Sequence, residues 1–80
     1  MYCVYLLQSI KYKSKRYVGV SANLKQRLKD HNLGKSIHTS KFCPWKLVSA
    51  VYFNDKNKAY SFEDYLKSGS GSAFANKHLW

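Results

Sequence analysis

The stretch Tyr2-Cys3-Val4-Tyr5-Leu6-Leu7-Gln8, joined by a polar connection to Arg16-Tyr17-Val18-Gly19-Val20, decides the fold. Residues 2–8 are β-branched, aromatic or apolar at both parities, so the strand they form has no wet face and belongs inside a sheet. Ser9 to Ser14 is polar and lysine-rich, as a turn should be, and residues 16–20 supply the hairpin partner. Gly19, inside that second strand, marks a place where another group comes close to the backbone.

Downstream, Ser21 is positioned to cap a helix over residues 22–32, with Leu24 and Leu28 as its apolar stripe and Gly34 as its stop. Residues 35–44 form a loop carrying the single proline, Pro44. Trp45 to Phe53 is a third strand. Asn54 to Asn57 offers capping side chains for a second helix over 57–67, which Ser68-Gly69-Ser70-Gly71 breaks, and a short last helix covers 73–79. The order ββαβαα is too short for a doubly wound parallel sheet. It fits an α+β fold, a small three-stranded antiparallel sheet flanked by helices, in one domain over residues 1–80.

The chain carries 14 Lys and Arg against 4 Asp and Glu, a net charge of +10, which favours a polyanionic partner and points to nucleic acid. A solvated cationic surface is the plainer alternative. No apolar run approaches the roughly 20 residues of a membrane span, so no membrane partner is expected. The opening residues carry no basic leader or small-residue cleavage site. Cys3 and Cys43 have no C-x-x-C spacing, and with His31 and His38 they match no zinc-finger pattern. Reduced thiols and a cytoplasmic location are the expectation, and no obligate protein partner is inferred.

Three polar features sit where apolar residues belong. Ala59, Phe62, Glu63 and Leu66 share one helix face, so Glu63 is a carboxylate that must be paired or bind a cation. Arg27 and His31, four apart, flank the Leu24–Leu28 stripe, either as an ordinary cationic surface or as a phosphate-directed pair. Tyr5 and Tyr17 lie mid-strand on paired strands, either as packing residues or as site residues.

Cys3-Val4-Tyr5, eleven residues, then Tyr17-Val18-Gly19 resembles the paired tripeptides of the GIY-YIG nuclease superfamily, with Cys3 where the first tripeptide has its glycine. The run from Tyr17 through Arg27, His31 and Gly34 is similar to the family's helix. Glu63-Asp64-Tyr65-Leu66-Lys67-Ser68-Gly69-Ser70-Gly71 is similar to the C-terminal segment of short bacterial members. The resemblance implies metal-dependent endonuclease activity, hydrolysis of phosphodiester bonds, most naturally in DNA. It implies Tyr5, Tyr17, Arg27, His31 and Glu63 as catalytic residues, Glu63 as the ligand of Mg²⁺ (or Mn²⁺), and Arg27 with Asn76 as substrate contacts. On that reading Arg27 stabilises the phosphoryl charge, Tyr17 takes or relays the proton of the attacking water, Tyr5 orients water or phosphate, and His31 bonds phosphate or assists proton transfer. His38 is more simply a surface loop histidine. Two other readings compete: a non-catalytic basic nucleic-acid-binding module on the same fold, and an interaction protein that associates through Trp45, Tyr60 or Trp80.

Overall fold

In the computed structural model, which describes residues 1–80, strand β1 (Tyr2–Ser9) runs through the middle of a three-stranded antiparallel sheet. Strand β2 (Arg16–Ser21) pairs on one side and β3 (Trp45–Phe53) on the other, giving the order β2-β1-β3. Helix α1 spans Leu24–Asn32, α2 Lys56–Leu66 and α3 Gly69–His78, and a single 3-10 turn covers Ser40–Phe42. The α+β class and the order ββαβαα are as the sequence indicates. No helix is long and apolar enough to cross a membrane.

The central position of β1 follows from its composition. Its side chains alternate between two cores, one on each face of the sheet. Val4 and Leu6 pack with Ala59, Leu66 and Ala75 beneath α2 and α3. Cys3, Tyr5 and Leu7 pack with Trp45, and Tyr17, Leu24, Leu28 and Phe42 close around them. Burying each Val, Leu or Tyr this way stabilises the fold by roughly 1.5–3 kcal/mol. The pairing sets Tyr5 opposite Gly19 and Leu7 opposite Tyr17, so both tyrosines look toward the α1 face.

Two element boundaries differ from expectation. Ser21 stays in β2, and its hydroxyl accepts from the Asn23 N–H. Asn23 is the helix cap, its side chain accepting from the Gln26 N–H, so α1 starts at Leu24 rather than Ala22. A second Asx-type acceptor two residues on displaced the serine from that role. The segment 68–71 does break α2, but it also begins α3. Ser68 caps it, its hydroxyl accepting from the Gly71 N–H. Gly71 is required by close approach: a Cβ there would lie 1.5 Å from the Tyr65 carbonyl oxygen. What reads as a flexible linker is the contact that lets α3 fold back onto α2.

Candidate active site

Tyr5, Tyr17, Arg27 and His31 converge on the α1 face of the sheet. The Tyr5 and Tyr17 rings are 6.2 Å apart, Tyr5 and His31 5.8 Å, and Tyr17 and His31 5.0 Å, so the three form a closed aromatic triangle. Gly19 makes this possible. A Cβ on it would fall 2.5 Å from the Tyr5 hydroxyl oxygen and 2.9 Å from a Tyr17 ring carbon. The strand glycine is therefore the floor on which both phenols rest, which is the close approach its position indicated.

His31 is not the surface imidazole that one sequence reading allowed. It is fully buried, because Leu24, Leu28 and His31 fall at i, i+4 and i+7 and form one inward face. Both ring nitrogens are engaged: Nε2 with the Tyr5 hydroxyl at 3.0 Å and Nδ1 with Thr39 Oγ1 at 2.7 Å. No nitrogen remains to bond a phosphate, so the direct substrate contact expected of His31 is corrected to a contact through Tyr5. Burial, reinforced by the nearby Arg27 charge, pushes its pKa below the ordinary histidine value and keeps it neutral.

Tyr5 exposes only 1% of its surface, so it too meets a ligand through its neighbours. Burial raises its pKa above the usual phenol value, while the Arg27 guanidinium beside its hydroxyl acts in the opposite direction. Arg27 is held firmly protonated by that interaction with Tyr5. Its side chain is 40% exposed, and its ion pair with Asp30 is loose, at 3.9 Å. Asp30 is shared with Lys35, also at 3.9 Å, and accepts from Gln26 Nε2 at 2.9 Å. Arg27 thus stands beside the phenol and is open at its outer edge. Tyr17 is half-buried and is the more accessible of the two phenols.

Glu63 approaches from α2, on the other side of the sheet. Its side chain is 16% exposed, and its carboxylate pairs with Lys67 Nζ at 3.2 Å. It remains near enough to the cluster for its charge to oppose ionisation of Tyr5. Asn76 is not gathered in. It is exposed on α3, where its Oδ1 accepts from Arg16 Nη1 at 2.9 Å, and Arg16 itself lies over the Trp80 ring at 4.7 Å. Strand alternation turns Arg16 away from the face that carries Tyr17, so Asn76 belongs to a separate cluster. His38 is exposed on its loop, as the plainer reading had it.

One participant left no signal in the sequence. Thr39 lies in a polar loop and is 1% exposed. Its hydroxyl meets His31, and its carbonyl accepts from Trp45 Nε1–H at 2.9 Å. Trp45 is in turn clasped by Asn32, whose Oδ1 accepts from the Trp45 N–H at 2.5 Å and whose Nδ2 donates to the Trp45 carbonyl at 3.2 Å. Trp45 is therefore a buried anchor, and it cannot serve as the exposed contact of an interaction surface. A buried imidazole needs a partner at each nitrogen. That requirement could have pointed to Thr39 once His31 was placed inside.

A family model described as the GIY-YIG catalytic domain matches residues 1–77. The structure-specific endonuclease subunit SLX1 homolog of Drosophila mojavensis is 41% identical over 71 residues, covering 78% of this chain and 23% of that protein. The structure-specific endonuclease subunit SLX1 of Debaryomyces hansenii is 38% identical over 73 residues, covering 82% of this chain and 21% of that protein. The chain therefore spans less than a quarter of the length of these curated relatives. The solution NMR structure of a UPF0213 protein from Bacillus halodurans superposes with a TM-score of 0.56 at 26% identity, covering 96% of this chain and 84% of that one.

Proposed function

The chain belongs to the GIY-YIG catalytic domain family, and from that premise we propose that it is a metal-dependent endonuclease that hydrolyses phosphodiester bonds in DNA. The observation that carries the reading is Arg27, placed beside the buried Tyr5 phenol and open at its outer edge near the half-buried Tyr17. A guanidinium in that state is a preorganised clamp for a phosphate, and its worth grows as negative charge accumulates on the phosphoryl oxygens. Tyr17, the accessible phenol, relays the proton of the attacking water. Tyr5 and His31 hold the clamp in place from below.

The donor set fits a hard divalent cation. No group of three or more His, Cys, Asp or Glu side chains is assembled, and Glu63 is the one carboxylate whose charge is felt at Tyr5. Mg²⁺ commonly uses one or two carboxylates, with water and substrate phosphate completing its shell. Glu63 would hold it, since Lys67 is 56% exposed and an exposed ion pair is weak enough to be displaced. The cation would supply positive charge to offset that gathering on the phosphate.

The charge distribution supports a nucleic-acid substrate. Residues 1–54 hold ten of the fourteen Lys and Arg and one of the four acids, Asp30. The β1–β2 hairpin and α1, which frame Arg27, fall within that segment. Phosphate contacts of this kind position the substrate without reading its sequence.

Incubation with branched, nicked and single-stranded DNA and Mg²⁺ or Mn²⁺ tests the reading. Cleavage is expected only with a divalent cation, and it disappears in Arg27→Ala and Glu63→Ala. Cleavage that persists unchanged in both variants defeats it. The Lys67–Glu63 pair favours a second reading, a non-catalytic DNA-binding module, for which salt-steep binding without turnover under either cation is the expected result.

A further inference from the structure

We propose that Thr39 is a positioning residue: its hydroxyl, bonded to His31 Nδ1, holds the buried imidazole so that Nε2 meets the Tyr5 hydroxyl and keeps that phenol in place within the site. The inference rests on the endonuclease reading and extends it to a loop residue that touches no substrate.

Contacts on both sides of the ring carry the argument. His31 Nε2 lies 3.0 Å from the Tyr5 hydroxyl and Nδ1 lies 2.7 Å from Thr39 Oγ1. Either hydroxyl can donate or accept, so both neutral tautomers are served, and what Thr39 fixes is the position of the ring. Each link is satisfied, and no buried side-chain nitrogen or oxygen in the molecule lacks a partner.

Without the Thr39 oxygen one ring nitrogen would be left unpaired in a site where His31 has no exposed surface and Tyr5 only 1%. Thr39 is itself immobilised: the Trp45 ring N–H holds its carbonyl, and Asn32, adjacent to His31, clasps the backbone of Trp45. His31, Thr39, Trp45 and Asn32 thus close a ring of contacts that connects the end of α1 to the start of β3.

The test uses the 80-residue chain and three proteins: wild type, Thr39→Val and Thr39→Ser. Long-range ¹H–¹⁵N spectra of the histidine rings report the protonation and hydrogen bonding of the two His31 nitrogens. Single-turnover cleavage of a branched DNA reports activity, and thermal denaturation shows that each variant is folded. Wild type and Thr39→Ser should share one His31 signature and comparable cleavage rates. Thr39→Val, of similar shape without the oxygen, should change that signature and cleave about a hundredfold more slowly, within the range for misplaced general acid–base and orienting groups. A folded Thr39→Val with an unchanged His31 signature overturns the proposal, as does one with an unchanged rate. A wild type that cleaves no substrate, while the His31 signature still follows Thr39, overturns the endonuclease reading and supports the Thr39–His31 linkage.

Discussion

Replacing Gly19 by alanine adds one methyl group at the point where both phenols rest. The new Cβ would stand 2.5 Å from the Tyr5 hydroxyl oxygen, 2.6 Å from the ring carbon that bears it and 2.9 Å from the Tyr17 ring. Ordinary contact begins near 3.4 Å, so the Tyr5 ring must retreat by about 0.9 Å or the strand must bow by as much. Tyr5 has nowhere to go: it is 1% exposed, and its hydroxyl is bonded to His31. A shift of that size is enough to break a bond of 3.0 Å. Overpacking of this kind costs about 1–3 kcal/mol, and for a domain of this length each kcal/mol lowers Tm by about 4–8 °C. The functional loss should exceed the loss of stability. Displacing a positioned group by about 1 Å costs on the order of a hundredfold in rate. Circular dichroism melts and single-turnover DNA cleavage, the latter well below the variant's Tm, separate the two effects. Gly69→Ala is the matched control, because its added Cβ meets nothing within 4 Å. Should Gly19→Ala melt like wild type and cleave within about threefold of its rate, the account of Gly19 as the floor of the site is wrong.

Other perturbations separate the parts of the molecule. Gly71→Ala would place a Cβ 1.5 Å from the Tyr65 carbonyl oxygen and should cost about 3 kcal/mol or more, whereas Gly69→Ala should be neutral or gain up to about 1 kcal/mol; urea titration of both checks this. Because the folded state lowers the pKa of His31, the unfolded chain binds its proton first as pH falls. Stability from this residue is therefore complete above the unfolded value of 6.5 and declines below it until the folded pKa is reached, by at most about 1.4 kcal/mol per pH unit; the slope should vanish in a folded His31→Gln variant. Glu63→Gln should abolish Mg²⁺-dependent cleavage while leaving DNA affinity without the cation nearly unchanged. Lys67→Gln should shift stability by no more than about 1 kcal/mol and lower the Mg²⁺ concentration needed for half-maximal cleavage, since it frees the carboxylate. An Mg²⁺ requirement unchanged in Lys67→Gln would show that the ion pair does not compete with the cation.

The sheet was legible because β1 is apolar at both parities, and only a central strand covered on both faces can satisfy that pattern. Tyr5, Tyr17 and Arg27 were legible together only through the resemblance of the paired tripeptides and the helix that follows, since each alone reads equally as a packing phenol or an ordinary surface cation. What escaped depended on how a loop and a turn fold. His31 shares the inward face of Leu24 and Leu28, but nothing in residues 35–44 announces that Thr39 will reach back to its second nitrogen. Asn76 was placed by its distance from Glu63, but the turn at 68–71 begins α3 earlier than expected, and the side chain meets Arg16. Trp45 was read as an exposed aromatic because its indole N–H partner lies six residues upstream in that same loop.

The clasp between Asn32 and Trp45 also divides the loop it closes into two unlike parts. From Thr39 onward the backbone is committed, since its carbonyl and hydroxyl serve the imidazole and the indole. Before it, around Lys35 and Ile37, the chain bulges outward, with Ile37 87% exposed. The backbone of this outer part is held by its own turn, since the Lys35 N–H donates to the Asp30 carbonyl and the Ser36 carbonyl accepts from the N–H groups of Thr39 and Ser40. Variation at this rim therefore falls to outward side chains such as Ile37, which can be exchanged while the machinery beneath keeps its shape.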